Sequence, residues 1–222
     1  MTSRPLTTNA APSSSMPGRD TALRRDVDIV VALIGLVVLS PLLLLLAAAV
    51  RLTSRGPAIY RQQRVGRHGK PFHIWKLRTM VSDGDPAGPL VSGPADPRAT
   101  RVGRWLRATR LDELPQLVNL LRGDLTLIGS RPEVPRFLPN YTSEEWRLLS
   151  ARPGILGPGA LLFVGSQAGE LDSASDPEAF YIAHHLHPKL ALDLDYLDHR
   201  TLHRDLALLL RTVGVLARRS RT

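Results

Sequence analysis

One uncharged apolar run constrains the fold of this chain more than any other feature. Between Ile29 and Val50 there are 22 consecutive residues without a charge, and most of them are large and apolar. As one straight helix this run would be roughly 33 Å long, which matches the hydrocarbon core of a bilayer. The run is too long and starts too late for a cleaved signal peptide, and no small-residue cleavage site follows it. We therefore expect the chain to be attached to a membrane.

A proline in the centre of the apolar run bears on its topology. Pro41 removes one helical hydrogen bond, so a kink is expected, and the Ser40 hydroxyl can bond a carbonyl that is freed. Arginines precede the run at Arg24 and Arg25, and five more follow it at Arg51, Arg55, Arg61, Arg64 and Arg67. The positive-inside rule places both ends on the cytoplasmic side. We predict a re-entrant helix–break–helix over residues 23–51; a single-pass anchor with an ordinary proline kink is the alternative.

The remaining sequence divides into a tail and one domain. Residues 1–22 are rich in Ser, Thr, Pro and Ala, and their composition predicts a disordered tail. Residues 52–222 predict a single α/β domain, mostly helical with a small strand region. Within it, residues 58–66 and 71–80 alternate around a turn and predict a β-hairpin. The Gly, Pro and Asp residues of 82–97 predict a loop.

Apolar spacing predicts the later elements of this domain. Helices are expected over residues 102–109 and 113–121, the second with apolar residues at i, i+3, i+4 and i+7. A short strand is expected after residue 125, followed by a helix over 143–153 with Ser143 as its cap. From Pro188 the chain is amphipathic and ends in arginines. This last segment suits either a helix on the membrane surface or a helix packed on the domain core.

Charge and composition limit the partners. The formal net charge of +9 and the pI of about 10.9 favour an anionic partner, such as nucleic acid, a phosphorylated small molecule or an acidic lipid surface. With aromatic residues at 5%, no stacking platform for nucleic acid is visible. The absence of cysteine excludes disulfides, zinc–thiolate sites and cysteine nucleophiles. His184, His185 and His187 lack the i, i+4 spacing of helical metal ligands.

Two adjacent carboxylates, Asp112 and Glu113, stand at the start of the predicted helix over 113–121. Pro115 is tolerated only in a first helical turn, which places Asp112 near the N-cap and Glu113 just inside. Acids suit a helix cap, and helix N-termini also bind anions. A carboxylate can also attack phosphorus as a nucleophile. The residues alone therefore leave two interpretations, a charged cap and a metal-assisted nucleophile.

Several motifs, taken in order, carry a family resemblance. They are Ser40-Pro41, "YRQQRVGRHGKPFHIWKLRTM", "DPRATRVGRWLRATRLDELPQLVNLLRGDLTLIGSRPE" and "ARPGI". Together they resemble the bacterial sugar transferases of the monotopic phosphoglycosyl transferase type, also described as polyprenyl-phosphate sugar-1-phosphate transferases. The resemblance runs from about Arg24 to the C-terminus and is densest between Tyr60 and Gly154.

The resemblance implies a reaction at the cytoplasmic face of the bacterial inner membrane. A sugar-1-phosphate passes from a nucleotide diphosphate sugar, usually a UDP-sugar, to a polyprenol phosphate such as undecaprenyl phosphate, and a nucleoside monophosphate is released. Such a step begins the assembly of an exopolysaccharide or another glycoconjugate, so downstream glycosyltransferases are candidate partners. It also implies Mg²⁺ as cofactor and a covalent aspartyl-phosphosugar intermediate.

Carried onto this chain, the resemblance makes Asp112 the nucleophile and a metal contact, with Glu113 as its partner. The residues it suggests for substrate binding are Lys76, Arg78, Arg107, Arg131, Pro132 and Glu133. Phosphate-bearing reactants call for hard cations and fixed arginines, which fits these residue types. The family pattern also includes Asp96, Arg98 and Thr100, for which ordering a loop and contacting substrate both stay open.

The chain departs from the family pattern at two places. Ser130 replaces a proline that commonly precedes the Arg-Pro-Glu element, and the segment after Ile155 lacks a Thr-Gly and a Gln-Val-x-Gly-Arg element. Because that segment is a candidate for sugar recognition, the sugar is not predicted. Two other functions remain open at this stage: a basic, membrane-tethered binding protein and an inactive family member that serves as an anchor.

Overall fold

The computed structural model describes residues 21–81, 89–165 and 167–219. The predicted tail therefore lies almost entirely outside the described residues, as does 82–88 of the predicted loop. The first element is helix α1, Ala22–Thr53, whose N-cap is Thr21. The Thr21 hydroxyl accepts a hydrogen bond from the Arg24 N–H at 3.3 Å. By length and composition α1 is able to cross a membrane, and only 11% of its most apolar window is buried.

Helix α1 continues through Pro41, so the helix–break–helix predicted over residues 23–51 is not observed as a break. Pro41 has no N–H to donate to the carbonyl of Val37, four residues earlier. The Ser40 hydroxyl donates to that carbonyl at 2.8 Å instead. This bond satisfies the freed carbonyl and accounts for a continuous helix.

Both halves of α1 are attached to the rest of the described chain. In the first half, Asp28 accepts hydrogen bonds from the Thr126 hydroxyl at 3.1 Å and the Leu127 N–H at 2.9 Å. The second half joins a buried apolar cluster made of Leu46, Val50, Leu77 and Leu106. Between these attachments α1 exposes large apolar side chains, among them Val37, Val38, Leu44 and Leu45. A membrane-length helix thus contacts the same globular unit near both of its ends.

The predicted hairpin is confirmed. Strand β1, Ile59–Val65, pairs antiparallel with β2, Pro71–Leu77, so that Ile59 lies opposite Leu77. The turn between them contains Gly69 in the left-handed region, with φ of 73°.

Helix α2, Arg101–Thr109, agrees with the prediction, but the next helix begins later than expected. Helix α3 is Gln116–Arg122 and ends at Gly123, whose φ of 84° suits glycine. Residues Leu111–Glu113 form a separate 3-10 turn, so Asp112 and Glu113 lie before α3 and not in its first turn. The reason is that Leu111 and Leu114 both pack against the cluster of Leu46, Val50, Leu77 and Leu106, which requires a tighter turn.

Short strands and helices form the second half. Strand β3, Thr126–Ile128, is confirmed and pairs in parallel with β4, Gly154–Leu156. The helix predicted over 143–153 is wrong in type, since Glu145–Ser150 is a 3-10 helix. Its cap is Thr142 and not Ser143: the Thr142 hydroxyl accepts from the Glu145 N–H at 3.3 Å. The remaining α-helices are α4, Pro158–Gly165, α5, Pro177–Tyr181, α6, His187–Asp198, and α7, Leu202–Arg219.

The amphipathic segment from Pro188 divides into two helices with different surroundings. Helix α6 is buried through Leu190, Leu194 and Leu197 in the main core, which also contains Phe137 and Leu186. Helix α7 instead exposes an apolar stripe of Leu202, Leu206, Leu210 and Val213. The described chain is mostly helical with two small two-stranded sheets, which confirms the coarse fold prediction.

Candidate active site

The turn that carries the two carboxylates is fixed by its backbone and by its flanking leucines. Helix α2 ends where Arg110 adopts a left-handed conformation, with φ of 60°, which is uncommon for a residue with a side chain. Such strained positions persist only where surrounding contacts hold them. Here Leu111 and Leu114 supply these contacts by packing beside the second half of α1. The turn Leu111–Glu113 is therefore anchored next to the apolar helix.

Glu113 accepts from three cations, which we call the Glu113 cluster (Glu113, Lys76, Arg110 and Arg131). Arg131 binds it with both guanidinium nitrogens, Nη2 to Oε1 at 2.5 Å and Nη1 to Oε2 at 3.2 Å. Lys76 Nζ lies 3.2 Å and Arg110 Nη1 3.1 Å from Oε1. Burial alone would raise the pKa of Glu113, but Arg131, Lys76 and Arg110 hold it well below its usual range. Glu113 is thus ionised and already occupied.

Asp112 differs sharply from its neighbour. Its side chain is buried, with the residue 6% exposed, and Oδ1 has no hydrogen-bond partner among the described residues. Burial raises the pKa of Asp112, Lys76 opposes this shift, and the adjacent Glu113 charge adds to it. A desolvated carboxylate with a free oxygen is more basic and more reactive than a solvated one. Of the two acids, Asp112 is the one available for chemistry.

The cations of this cluster respond differently to burial. Burial lowers the pKa of Lys76 to about 8, although Glu113 opposes the shift. Burial also acts against the charge of Arg131, but the Glu113 carboxylate outweighs it and raises the Arg131 pKa above its ordinary value. Arg131 therefore stays charged at any working pH, whereas Lys76 titrates in the mildly alkaline range.

Arg107 lies near Asp112 but is bound to a loop. Its Nη2 donates to the Ser92 carbonyl at 3.1 Å, the Ser92 hydroxyl at 2.8 Å and the Gly93 carbonyl at 3.0 Å. Its Nη1 is buried without a partner among the described residues. Burial lowers the Arg107 pKa, and the largest opposing influence is the charge of Asp112. Arg107 thus lies in the last turn of α2, which leads into the turn of Asp112, and its Nη1 makes no hydrogen bond within the described part of the chain.

The family-pattern residues Asp96, Arg98 and Thr100 order the segment before α2. Asp96 and Arg98 form an ion pair at 2.7 Å. The Thr100 hydroxyl accepts from the Gly103 N–H at 2.8 Å and caps α2. Their contacts favour the loop-ordering interpretation.

Asp112 and Glu113 together are called the dyad below. The hydrogen bonds of Arg78 go to other residues. Strand β2 ends at Leu77, and the Arg78 guanidinium donates to backbone carbonyls that follow the C-terminus of α1, those of Ser54, Gly56 and Pro57 among them. These contacts stabilise the exit of the chain from the apolar helix, a position different from the predicted substrate contact.

Within the described part of the chain, the hydrogen bonds of Pro132 and Glu133 go to residues other than Asp112 and Glu113. The Pro132 carbonyl accepts from Arg64 Nη1 at 3.1 Å. Glu133 is buried and accepts from the Tyr181 hydroxyl at 2.8 Å and from Lys189 Nζ. Burial would raise the pKa of Glu133, but Lys189 is the main reason that it is lowered. These residues, Glu133, Tyr181 and Lys189, form what we call the Glu133 cluster.

Several residues at or behind the site escaped the sequence prediction: Arg64, Arg110, Gln116, Tyr181 and Lys189. One signal was present, since the chain has only three lysines among its 29 basic residues. Two of those lysines form ion pairs with glutamates: Lys76 with the partly buried Glu113, and Lys189 with the buried Glu133. Gln116 is 1% exposed, and neither polar atom of its amide has a partner in the described part of the chain.

Two of the three clustered histidines lie beside glutamates. His187 Nδ1 lies 2.8 Å from Glu145, and His185 Nε2 lies 3.3 Å from Glu170. Within residues 21–81, 89–165 and 167–219, no group of three or more His, Cys, Asp or Glu is arranged to hold a metal. A metal at the dyad would therefore rest on Asp112 together with oxygen atoms from a bound substrate.

The described chain combines a helix that is long and apolar enough to cross a membrane with a candidate site rich in charged groups. A buried, unpaired carboxylate lies beside a second carboxylate bound by fixed cations, and both are anchored to a membrane-length helix. The sequence model of the bacterial sugar transferase family matches residues 19–219. The chain belongs to this family of bacterial sugar transferases.

Characterised and named relatives span several sugars. The chain is 39% identical over 211 residues to a UDP-glucose:undecaprenyl-phosphate glucose-1-phosphate transferase of Caulobacter vibrioides, covering 92% of this chain and 74% of that protein. It is 45% identical over 131 residues, 59% of this chain and 73% of the relative, to a protein of Bacillus subtilis named as an undecaprenyl-phosphate N-acetylgalactosaminyl 1-phosphate transferase, an assignment not yet established. It is 36% identical to an undecaprenyl-phosphate galactose phosphotransferase of Salmonella typhimurium over 212 residues, 89% of this chain and 41% of that longer protein.

Proposed function

We propose that this protein transfers a sugar-1-phosphate from a UDP-sugar to undecaprenyl phosphate and releases UMP. The observation that carries the proposal is the buried Asp112, whose free Oδ1 adjoins the cation-bound Glu113. The relatives named above, which act on or are named for undecaprenyl phosphate, support the acceptor. Because these relatives differ in sugar, the sugar is left to experiment. The product would enter exopolysaccharide or other glycoconjugate assembly, where downstream glycosyltransferases would use it.

Asp112 is the proposed nucleophile in two displacements at one phosphorus. A carboxylate oxygen attacks the phosphorus that carries the sugar, a bond forms to Asp112, and UMP leaves with the electron pair of the broken bond. A phosphate oxygen of the polyprenol phosphate then attacks the same phosphorus and displaces the carboxylate. The lipid-linked diphosphate sugar is formed and Asp112 is regenerated. Two such steps replace one transfer between two negatively charged reactants.

The cations beside Asp112 have a separate role. Phosphate oxygens are bound well by arginine forks and by lysine charges. The free Nη1 of Arg107 and the partly exposed side chains of Lys76 and Arg131 are available for such oxygens. Glu113 holds Lys76, Arg110 and Arg131 together, and its lowered pKa makes it a fixed anion and not a proton acceptor. Glu113 is therefore proposed to position the cations.

Mg²⁺ fits the residues at the dyad. This ion prefers oxygen ligands and is commonly held by one or two carboxylates together with substrate phosphates. The orphaned Oδ1 of Asp112 is such a ligand, while the Glu113 oxygens are already taken. When bound, the ion would neutralise phosphate charge and polarise the phosphorus.

The site is proposed to lie at the cytoplasmic face of the membrane, with α1 re-entrant through a bend at Pro41 that leaves the helix continuous. Asp28 and Val50 would be separated by roughly 33 Å along a straight helix, yet both contact the same globular unit. A spanning helix would place one of these contacts across the bilayer. The exposed apolar stripe of α7 supports a helix lying on the same membrane surface.

The test of the reaction is UMP release by the detergent-solubilised protein, given undecaprenyl phosphate, Mg²⁺ and a panel of UDP-sugars. Lipid- and metal-dependent release with one sugar is expected, and both Asp112→Ala and Asp112→Asn should abolish it. Asp195→Asn is the matched control, because Asp195 is an exposed aspartate on α6, with 62% of its side chain accessible. Release that persists in both Asp112 variants would refute the nucleophile. No release from any sugar would favour the tethered binding protein or the inactive relative.

Topology has its own test, which the absence of cysteine makes simple. Single-cysteine variants Ser13→Cys and Lys70→Cys are labelled with a membrane-impermeant reagent in sealed vesicles of known orientation. The re-entrant arrangement predicts labelling of both from the cytoplasmic side. Labelling from opposite sides would establish a single-pass anchor.

A further inference from the structure

The loop that binds Arg107 is itself held by two acidic residues that lie far from the dyad in sequence. We call residues 89–98 the Arg107 loop. Two carboxylates accept hydrogen bonds from its backbone: Asp172 Oδ2 from the Ala95 N–H at 2.9 Å, and Glu178 Oε1 from the Leu90 N–H at 2.7 Å. Both acids lie in the part of the chain after Ile155, which lacks two elements of the family pattern.

The contact with Asp172 is close as well as polar. A Cβ atom placed on Gly93 would overlap the Asp172 carboxylate, so the carboxylate occupies the space that any other residue at position 93 would need. Leu90 and Val91 also pack against the main core. The Arg107 loop is thus fixed by two hydrogen bonds and by packing.

The loop in turn fixes Arg107 by hydrogen bonds. Three oxygen atoms, from Ser92 and Gly93, accept from the single nitrogen Nη2. A planar guanidinium held through one nitrogen by three acceptors has little freedom to rotate. Its other terminal nitrogen, Nη1, is buried and has no partner among the described residues. Asp112 is the group whose charge most favours the ionised form of Arg107. Arg107 lies in the last turn of α2, which leads directly into the Leu111–Glu113 turn, so this nitrogen is held in the part of the chain that carries the proposed nucleophile.

We infer that Asp172 and Glu178 are positioning residues that act through Arg107 on the diphosphate of the nucleotide-sugar donor. The inference rests on the proposed function and deepens it. Asp172 and Glu178 hold the Arg107 loop by its N–H groups, the loop holds Arg107 by its carbonyls, and Arg107 presents Nη1 to a donor phosphate oxygen. The divergent segment after Ile155 thereby influences donor recognition without touching the donor.

The decisive experiment is a double-mutant cycle on donor kinetics. Asp172→Ala should raise the KM for the UDP-sugar about tenfold, the effect of losing one charge-assisted hydrogen bond that orders the site. The KM for undecaprenyl phosphate should stay within about twofold, since only the donor-binding arginine is disturbed. In an Arg107→Ala background, Asp172→Ala should add nothing, because its effect passes through Arg107. Effects that multiply in the double variant would overturn the inference.

Two further comparisons separate positioning from a loss of stability. Asp172→Asn keeps an oxygen that can accept from the Ala95 N–H, so it should restore most of the donor affinity. Glu144→Ala is the control for loss of a carboxylate, since Glu144 is an exposed residue with 71% of its side chain accessible. A general loss of stability would instead lower activity toward both substrates alike, and that result would contradict the inference.

Amide hydrogen exchange measures, without any substrate, whether Asp172 holds the Arg107 loop. In Asp172→Ala the amides of Leu90 to Ala95 should exchange faster, while those of the β1–β2 hairpin should not change. Unchanged exchange in the loop would overturn the inference even if the enzyme is active. If the protein releases no UMP but Asp172→Ala still speeds exchange in the Arg107 loop, the proposed function would be refuted. The contact between Asp172 and the loop would remain supported.

Discussion

The Glu113 cluster and the Glu133 cluster are built from the same parts and differ in how completely they are closed. In each, a glutamate accepts from a lysine and from other donors; Glu133 is buried and Glu113 is partly buried. In the Glu133 cluster the side chains of Lys189 and Glu133 are 7% and 4% exposed. In the Glu113 cluster Lys76, Arg131 and Arg110 keep 18%, 19% and 33% of their side chains accessible. The Glu113 cluster also adjoins Asp112, whose Oδ1 has no described partner.

This difference in accessibility distinguishes a structural ion pair, the Glu133 cluster, from a candidate active site, the Glu113 cluster. A closed cluster satisfies every group within the protein, so its removal is felt in stability. An open cluster with an unpaired carboxylate is completed only by a ligand, so its removal is felt in activity. By this distinction Glu133, whose partners are Tyr181 and Lys189, belongs with the structural groups, and its predicted contact with substrate stays a prediction.

The largest expected effect is that of Asp112→Asn. Loss of the nucleophile should lower UMP release by on the order of 10³-fold or more. The pKa of Asp112 is raised by burial, so the ionised carboxylate opposes folding at neutral pH, and stability should rise as pH falls toward the unfolded-state pKa. The amide variant should therefore unfold at a denaturant concentration no lower than wild type. A large loss of stability would place Asp112 with the structural groups.

Glu133→Gln should give the opposite pattern. Removing the charge leaves the Lys189 ammonium buried without its counter-ion, which typically costs about 3–5 kcal/mol in unfolding free energy. Denaturant titration followed by circular dichroism measures this cost, with Glu144→Gln as the exposed control. The folded fraction should retain substrate KM values close to wild type. Raised KM values without loss of stability would return Glu133 to the substrate site.

Arg131→Lys tests the fork that joins Arg131 to Glu113. Lysine keeps the charge but cannot donate to both oxygens, which removes one charge-assisted hydrogen bond and should reduce kcat/KM by about 10–100-fold. Arg204→Lys is the control, since Arg204 is an exposed residue, 46% accessible, that pairs with the exposed Asp195. Equal activity of wild type and Arg131→Lys would mean that charge alone matters at this position.

The smallest effect concerns pH. Because the Lys76 pKa is lowered to about 8, the ammonium is lost as pH rises through that value. The kcat/KM should then fall about tenfold for each pH unit above the pKa. Lys76→Arg should move this alkaline limb to higher pH, because a guanidinium stays charged. A limb that stays near pH 8 in the variant would assign the titration to another group or to the substrate.

Much of the local structure could be predicted because it depends on neighbours in sequence. The apolar run, the alternation of the β1–β2 hairpin and the spacing of α2 each carry a local signal that the structure bears out. Where prediction failed, a distant contact decided. Leu111 and Leu114 turn the dyad out of α3 by packing beside α1, and Ser40 keeps α1 continuous at Pro41.

The sequence by itself determined the family, the membrane-length helix and the pairing of Asp112 with Glu113, since each is written in residue order. Only the tertiary structure decided which acid is free. Lys76, Arg110 and Arg131 come from separate elements and converge on Glu113, whereas Asp112 Oδ1 has no hydrogen-bond partner in the described part of the chain. The tertiary structure also decided that Arg78 contacts the backbone after the end of α1 and that Glu133 pairs with Lys189. The physical reason is that burial and ion pairing depend on distances in space, which arise only when strands and helices far apart in sequence pack together.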